Sequence, residues 1–245
     1  MREFSLLQEA NVTNVYVVPS HATPLKWFGV LFVHEGIFQG SVFRFRIFVP
    51  PEYPDSRETP TLVFDTPDPP FHPLVDQRGR LNTDLMYPEW NPRINKIWQL
   101  VLYLKRIFLT IEKDIESLKH VILNRDLDHQ NHHPLHDFPG YNLEAVKLYY
   151  DDIEGFFSRI RREAADSRER VFEDPMDVDD RNAIIFGPWN PEIHESIRRS
   201  MLLTGRAIIE DMRDEKKARQ ENGHEEAIML LDTSCYYTKE KRTNK

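Results

Sequence analysis

The sequence predicts an α+β fold: a four-stranded antiparallel meander sheet with helices packed on one face, followed by a C-terminal helical extension. In residues 43–49, apolar side chains alternate with two arginines and a phenylalanine: Phe43, Phe45, Ile47 and Val49 against Arg44, Arg46 and Phe48. This alternation is typical of a strand with one buried and one mostly solvated face. After residue 96 the apolar spacing becomes helical, and strands followed by helices indicate an α+β arrangement.

The other strands follow from apolar runs and their breaks. Residues Phe4–Ala10 favour a short first helix. Val12–Val18 predicts the first strand, which ends at Pro19 because proline cannot continue a central ladder. Trp27–Val33 predicts the second strand and Thr61–Phe64 the fourth. The short connections between successive strands favour an antiparallel meander.

Two apolar stripes predict the helices that cover the sheet. The first stripe consists of Ile97, Val101, Leu104, Phe108, Ile111 and Ile115. The second consists of Leu143, Val146, Tyr150, Ile153, Phe157 and Ile160. Spacings of three and four residues place each set on one helical face, so we interpret both stripes as core.

The domain organisation follows from shifts in composition. We expect residues 1–160 to form the α+β domain with an enlarged loop at 112–141. Residues 161–210 are expected to form a helical extension packing on or near the domain, with a helix starting near Glu192. Residues 211–245 consist mostly of Lys, Arg, Glu, Gln and Asn, which predicts a disordered tail.

The composition excludes several classes of function. A net charge of −8 and a pI near 5.7 argue against a general nucleic-acid binder, which needs a basic face. The one cysteine, Cys235, excludes an internal disulfide and a CxxC zinc site. The start lacks the apolar core of a signal peptide, and the apolar runs are too short for direct membrane insertion. We therefore expect a soluble, cytoplasmic protein with no cofactor.

The 112–141 loop leaves two interpretations open. It holds imidazoles and carboxylates that suit zinc: Asp126, Asp128, His129, His132, His133, His136 and Asp137. Their irregular spacing puts no fixed pair on one helical face, and prolines with Gly140 are typical of an exposed polar loop. We expect no metal here.

The segment from His72 to Pro92 carries the functional argument. His72-Pro73-Leu74 is followed by Gly79-Arg80-Leu81-Asn82-Thr83-Asp84 and by Trp90-Asn91-Pro92. This spacing resembles the active-site segment of ubiquitin-conjugating enzymes (E2), where an asparagine follows His-Pro and a cysteine lies ten residues after the histidine. The resemblance implies the UBC-like fold. It puts Asn82 at the cysteine position and Leu74 at that of the asparagine.

Both changes remove conjugating chemistry. A carboxamide cannot form the thioester that carries ubiquitin, because the thiolate is the nucleophile. A leucine has no donor for the developing oxyanion, an interaction worth roughly 3 kcal/mol in hydrolases. We therefore expect no catalytic residue and interpret His72, Pro73, Leu74 and Asn82 as a degenerate site. His72 is expected to be a structural residue of the loop.

Further segments are similar to the Fused Toes / crossbronx group of cysteine-less variants. They are Tyr16–Ser20, Trp27–Val30, Phe71–Asp76, Ile97–Leu100, Asn142–Val146 and Phe186–Pro191. The resemblance covers roughly residues 4–200. The group implies an inactive adaptor in a complex with a Hook-type coiled-coil protein and a scaffold subunit. Such a complex links endosomal vesicles to dynein, so an endosome association through partners is implied.

Two alternatives stay open beside the adaptor hypothesis. Some cysteine-less variants assist an active conjugating enzyme, so a ubiquitin-binding cofactor is the first alternative. An enzyme that uses Thr83 as nucleophile is the second, although Thr83 is one residue off register and no base is identifiable. For the adaptor, an apolar island amid charge at Ile184, Ile185, Phe186 and Trp189 is the predicted partner-binding surface.

Overall fold

The computed structural model describes residues 2–116, 118 and 140–203. Its four strands form one antiparallel sheet in the order β1-β2-β3-β4, which confirms the predicted meander. The strands are β1 (Val15–Pro19), β2 (Lys26–Phe32), β3 (Val42–Phe48) and β4 (Thr61–Phe64). The first strand begins at Val15 rather than Val12, after Asn14 with a positive φ of 68°.

Helices precede and follow the sheet, so the α+β class is also confirmed. They are α1 (Arg2–Ala10), α2 (Ile97–Ile107), α3 (Leu143–Asp151) and α4 (Ile153–Arg170). Further helical stretches cover residues 111–116 and 191–203.

The prediction of one continuous helix for each apolar stripe was wrong. The first stripe is divided between α2 and the stretch 111–116, although all six of its residues are buried. The second is divided at Asp152, whose extended backbone ends α3 and whose Oδ1 accepts the Gly155 N–H at 2.9 Å as the N-cap of α4. Tyr150 and Ile153, next to this break, are largely exposed. A continuous stripe therefore does not reveal a capping residue within it.

The core lies between the helices and the inner face of the sheet. The inner face consists of alternate residues of three strands: Trp27, Leu31, Phe43, Phe45, Ile47, Leu62 and Phe64. The helices supply Leu100, Leu104 and Phe108 together with Phe156 and Ile160. Phe108 stacks on Phe43 at 5.1 Å and meets Phe38 edge-on at 4.9 Å, so the core is centred on aromatic contacts.

The prediction that the other face of β3 is mostly solvated was wrong. This outer face consists of Lys26, Phe28, Val30 and Phe32 of β2 with Val42, Arg44, Arg46 and Phe48 of β3. Phe28 and Val30 are 3% and 2% exposed, and Arg44 is 8% exposed. The residues that cover them follow α4, more than a hundred positions later in the chain. Alternation within one strand cannot indicate such a cover.

The chain divides into two compact units, residues 1–187 and 188–245. Helix α4 runs without a break across residue 160, where the sequence predicts the domain to end. The division into 1–160, 161–210 and 211–245 stays a prediction. Most of the 112–141 loop and the whole 211–245 tail lie outside the described residues, as do all seven histidines and aspartates of the metal hypothesis. In the part of the chain that is described, no helix has the length and apolar character to cross a bilayer.

Gly29 tests the packing of the inner face. It pairs with Phe45 across β2 and β3, and a Cβ at Gly29 would lie 2.2 Å from Cζ of that ring. We expect Gly29→Ala to lower the free energy of unfolding by about 1–3 kcal/mol, measured by denaturant titration, because the buried ring cannot move away. Gly187→Ala meets nothing within 4 Å and is the matched control. The cost should shrink in a Phe45→Leu background; an equal cost there would contradict the clash.

Candidate functional site

The imidazole of His72 is fully buried and engaged at both nitrogens. Its Nε2 lies 3.0 Å from the Ile107 carbonyl oxygen at the end of α2, and its Nδ1 accepts the Leu74 N–H at 3.0 Å. Only the neutral tautomer with hydrogen on Nε2 satisfies both contacts. Burial lowers the pKa of His72 to about 4, so the ring stays neutral at physiological pH. His72 therefore joins α2 to the following loop, and neither nitrogen is available as a general base.

Asn82 lies beside His72, as the spacing of the motif predicts. Its N–H donates to the Leu74 carbonyl at 2.7 Å, so backbone hydrogen bonds connect His72 through Leu74 to Asn82. Its side-chain Oδ1 accepts the Asp84 N–H at 2.9 Å. Tyr103 of α2 donates its hydroxyl to the Asn82 carbonyl at 3.3 Å. These contacts use the carboxamide oxygen to fix the turn that begins at Asn82.

Aromatic side chains form one wall of the degenerate site. Trp90 meets Tyr87 edge-on at 5.2 Å, and Tyr87 meets Tyr103 at 6.0 Å. All three are buried, and Leu74 is fully buried beside them in the same core. Leu74 thus supplies packing where the family has a polar donor.

A short segment of the chain, residues 140–142, covers Asn82. Gly140 has a positive φ of 93°, and a Cβ there would lie 2.7 Å from Nδ2 of Asn82. Asn142 donates its N–H to the Pro73 carbonyl at 2.9 Å, and its Oδ1 accepts the Ala145 N–H as the N-cap of α3. With this cover Asn82 is only 7% exposed. The position expected for a nucleophile is therefore enclosed by the protein itself.

Glu163 connects α4 to the residue before His72. Its two carboxylate oxygens lie 3.0 and 2.9 Å from the Phe71 N–H, which they accept, and the Arg159 guanidinium lies 3.5 Å from the centre of the Phe71 ring. Burial raises the pKa of Glu163 to about 7, although the Phe71 N–H and the charges of Arg159 and Arg170 act in the other direction.

The residues predicted to bind a partner fall into both compact units. Ile184, Ile185 and Phe186 belong to the first unit, where Ile185 is exposed and the Phe186 ring meets Phe32 at 6.3 Å. Trp189 belongs to the second unit and is exposed. The stretch 191–203 of that unit carries further exposed apolar side chains, at spacings that the sequence already indicates as helical: Ile193, Ile197, Met201 and Leu202.

The His72–Asn82 segment lies within a recognised family domain. A model of the ubiquitin-conjugating enzyme family matches residues 1–132. The chain therefore belongs to the ubiquitin-conjugating enzyme family. Among curated proteins it is 37% identical over 203 residues to the AKT-interacting protein of Xenopus tropicalis, and 36% identical to those of Homo sapiens and Mus musculus.

These matches cover 82% of the chain and 60% of each relative, so the chain spans about 60% of their length. They confirm the resemblance to the Fused Toes / crossbronx group of cysteine-less variants.

The raised pKa of Glu163 generates a pH-dependent prediction. Its pKa is about 7 when folded, against a usual value of 4.5, so the folded state binds this proton more tightly. Stability from this group is present at low pH and is lost as the pH rises from 4.5 to 7. Relative to Glu163→Gln, the wild-type free energy of unfolding should fall by roughly 1–3 kcal/mol between pH 5 and pH 8, since each tenfold change in proton affinity is worth about 1.4 kcal/mol.

Urea titrations at the two pH values measure this difference. Glu169→Gln on the exposed side of α4 is the matched control and should follow the wild type. Parallel pH profiles for wild type and Glu163→Gln would contradict the assignment.

Proposed function

We propose that this chain is a non-catalytic member of the ubiquitin-conjugating enzyme family that acts as an adaptor between proteins. The observation that carries the proposal is Asn82, a carboxamide at the cysteine position beneath residues 140–142. Conjugation needs a thiolate that a ubiquitin-charged enzyme can reach. Here the nucleophile is absent and its place is covered, so the family scaffold is retained for binding.

A buried asparagine also argues against the hypothesis of a different nucleophile. Thr83, which follows Asn82 in the sequence, is half-buried, and its carbonyl accepts the N–H groups of Met86 and Tyr87. His72, which precedes it in the segment, is neutral and engaged at both nitrogens. A hydroxyl without an adjacent base is a weak nucleophile.

Restoring the cysteine tests whether the cover matters. In a Cys235→Ser background, we expect Asn82→Cys to remain uncharged after incubation with activating enzyme, ATP and ubiquitin, on non-reducing gels. Its thiol should react with a disulfide reagent about 100-fold more slowly than that of Asp84→Cys, an exposed matched control two positions away. The reason is that burial raises a thiol pKa and reaction then requires local opening. A thioester on Asn82→Cys would overturn the proposal that the site is closed.

For the partner we propose a Hook-type coiled-coil protein, together with a scaffold subunit, in endosomal vesicle transport with dynein. The name of the relatives refers to an interaction with AKT, which supports a protein-binding role in general terms. Within the second unit, Trp189, Ile193, Ile197, Met201 and Leu202 are each about half exposed or more. An apolar face on a short helix is the form that coiled-coil partners bind. We propose this face for the partner, and Ile184–Phe186 as a separate candidate.

Pull-downs with a Hook-type coiled coil distinguish the two candidates. Trp189→Ser with Ile197→Ser should reduce capture at least tenfold, since central aromatic and aliphatic anchors are worth about 1–3 kcal/mol each. Ile185→Ser tests the separate candidate without disturbing the half-buried Phe186. Ile94→Ser, which changes a side chain that is 70% exposed elsewhere, is the control. Thermal unfolding should be unaffected in every variant. Full capture by the Trp189/Ile197 variant would refute that placement.

A ubiquitin-binding cofactor of an active conjugating enzyme is the alternative that family membership favours. It predicts concentration-dependent shifts in the NMR spectrum of labelled ubiquitin on addition of the chain, and faster chain formation by an active enzyme. The adaptor proposal predicts neither effect.

A further inference from the structure

The outer face of the sheet is unusual in its charge. On this face Arg46 pairs with Phe28 and Arg44 pairs with Val30 across β2 and β3, and Lys26 lies two positions before Phe28 on β2. In an antiparallel meander such a face is commonly open to water, where the three cations would be solvated. Here Arg44 is buried and the side chains of Lys26 and Arg46 are only 19% and 14% exposed. Another part of the chain, of opposite charge, therefore covers this face.

The covering part is segment 172–186, which we call the strap. Asp177 at its centre accepts from Lys26 Nζ at 2.7 Å and from Arg46 Nη1 at 3.2 Å. The neighbouring Met176 Sδ lies 3.1 Å from Arg46 Nη2, and its N–H donates to Asp65 at 3.4 Å. Hydrogen bonding from Lys26 is the main reason that the pKa of Asp177 lies below its usual value. One carboxylate thus bridges two cations on adjacent strands.

A second carboxylate of the strap is held by the turn after β1. Asp180 accepts from the Ser20 hydroxyl at 2.6 Å and from the N–H groups of His21 and Ala22 at 3.0 and 3.3 Å. Two positions later, Asn182 donates its Nδ2 to the Pro19 carbonyl at 2.8 Å. Burial raises the pKa of Asp180, but hydrogen bonds from Ser20, the Asn182 N–H and these amides lower it by more. The pKa therefore lies below its usual value, and the carboxylate is ionised at neutral pH.

The strap is held through these polar contacts and through apolar ones, which include the buried Pro175 and the Phe186 ring against Phe32 at 6.3 Å. Several of its apolar side chains point to solvent, since Phe172, Met176, Val178 and Ile185 are each between 42% and 63% exposed. Segments with few buried apolar contacts belong to the less stable part of a structure and open locally. Opening would remove Asp177 from Lys26 and Arg46, leaving Arg46 only the weaker contact with Asp65 at 3.7 Å. Asp177 and Asp180 lie at the two ends of a turn, because the Asp180 N–H donates to the Asp177 carbonyl at 3.0 Å. The face is therefore complementary to a turn that carries acids three positions apart.

We propose that the outer face is a docking site for an acidic turn of a partner protein, filled in cis by the strap. The partner segment carries carboxylates at the spacing of Asp177 and Asp180. Because the strap is tethered, its effective concentration is in the millimolar range, and a partner displaces it only with further contacts of its own or when the strap is weakened. This site is independent of the apolar face in the second unit proposed above, whereas the separate candidate Ile184–Phe186 lies within the strap.

A labelled peptide of residues 172–183 tests the proposal against the full chain by fluorescence anisotropy. In the strap variant Asp177→Lys/Asp180→Lys, both latching charges are reversed, and we expect the peptide to bind at least tenfold more tightly than to wild type. Binding should weaken as salt is raised, because the contacts are charged and partly exposed. A peptide with both aspartates replaced by asparagine is the matched control and should not bind.

Adding Arg46→Glu to the strap variant should remove the peptide binding. Hydrogen exchange at the His21 and Ala22 amides reports independently whether the strap has left. Should the double reversal fail to fold, Asp180→Asn undergoes the same titration, and it too should bind the peptide more tightly than wild type. The proposal would be overturned if the His21 and Ala22 amides of the strap variant exchange rapidly, yet the variant binds the peptide no more tightly than wild type or not at all. So would a wild-type chain that forms strap-exchanged dimers, because the occupant would then be a second copy.

Discussion

The buried imidazole of His72 is the contact on which the site depends. It joins the last carbonyl of α2 to the Leu74 amide, and the Leu74 carbonyl in turn receives the Asn82 N–H. The ring packs against both Phe38 and Phe108, with centroids 5.8 and 5.3 Å away. Because a buried imidazole must satisfy both nitrogens, it sets the register between helix and loop. The histidine of the motif is therefore a structural requirement of the loop in this chain.

The sequence predicts best those features that depend on local spacing. The inner face of β3 follows from alternation alone, and the four-strand meander follows from the short connections between apolar runs. Three features lay beyond such reasoning. The first is the break at Asp152, within an apolar stripe. Its side chain accepts the Gly155 N–H, and this cap competes with continuation of the helix. The outer face is buried by the strap, and the cover over Asn82 comes from residues 140–142, which follow a long insertion in the sequence. Contacts of that sequence separation leave no periodic signal.

Carboxylates in this chain influence stability in opposite directions. Asp177 and Asp180 have lowered pKa values, so their contribution is present above the pKa of the unfolded chain and is lost as the pH falls below it. Glu163 and Asp114 have pKa values raised by burial to about 7 and about 6, so their contribution declines as the pH rises toward neutrality. The strap contacts of Asp177 and Asp180 are thus fully present at neutral pH, where Glu163 is charged and its burial costs most. The strap contacts of Asp177 and Asp180 and the buried Glu163 of α4 therefore respond oppositely to acid.

Two surfaces of the first unit are closed by the chain itself, and both closures use backbone amides. Residues 140–142 are fixed over Asn82 by the Asn142 N–H, and the strap is fixed at Asp180 by the His21 and Ala22 N–H groups. A conjugating enzyme could not tolerate the first closure, because its thiol must be reached in every catalytic cycle. Loss of the cysteine removes that requirement, and a covering segment then adds burial without a functional cost. The strap combines apolar contacts with paired carboxylates, and we propose that these charge pairs can be exchanged for those of another protein.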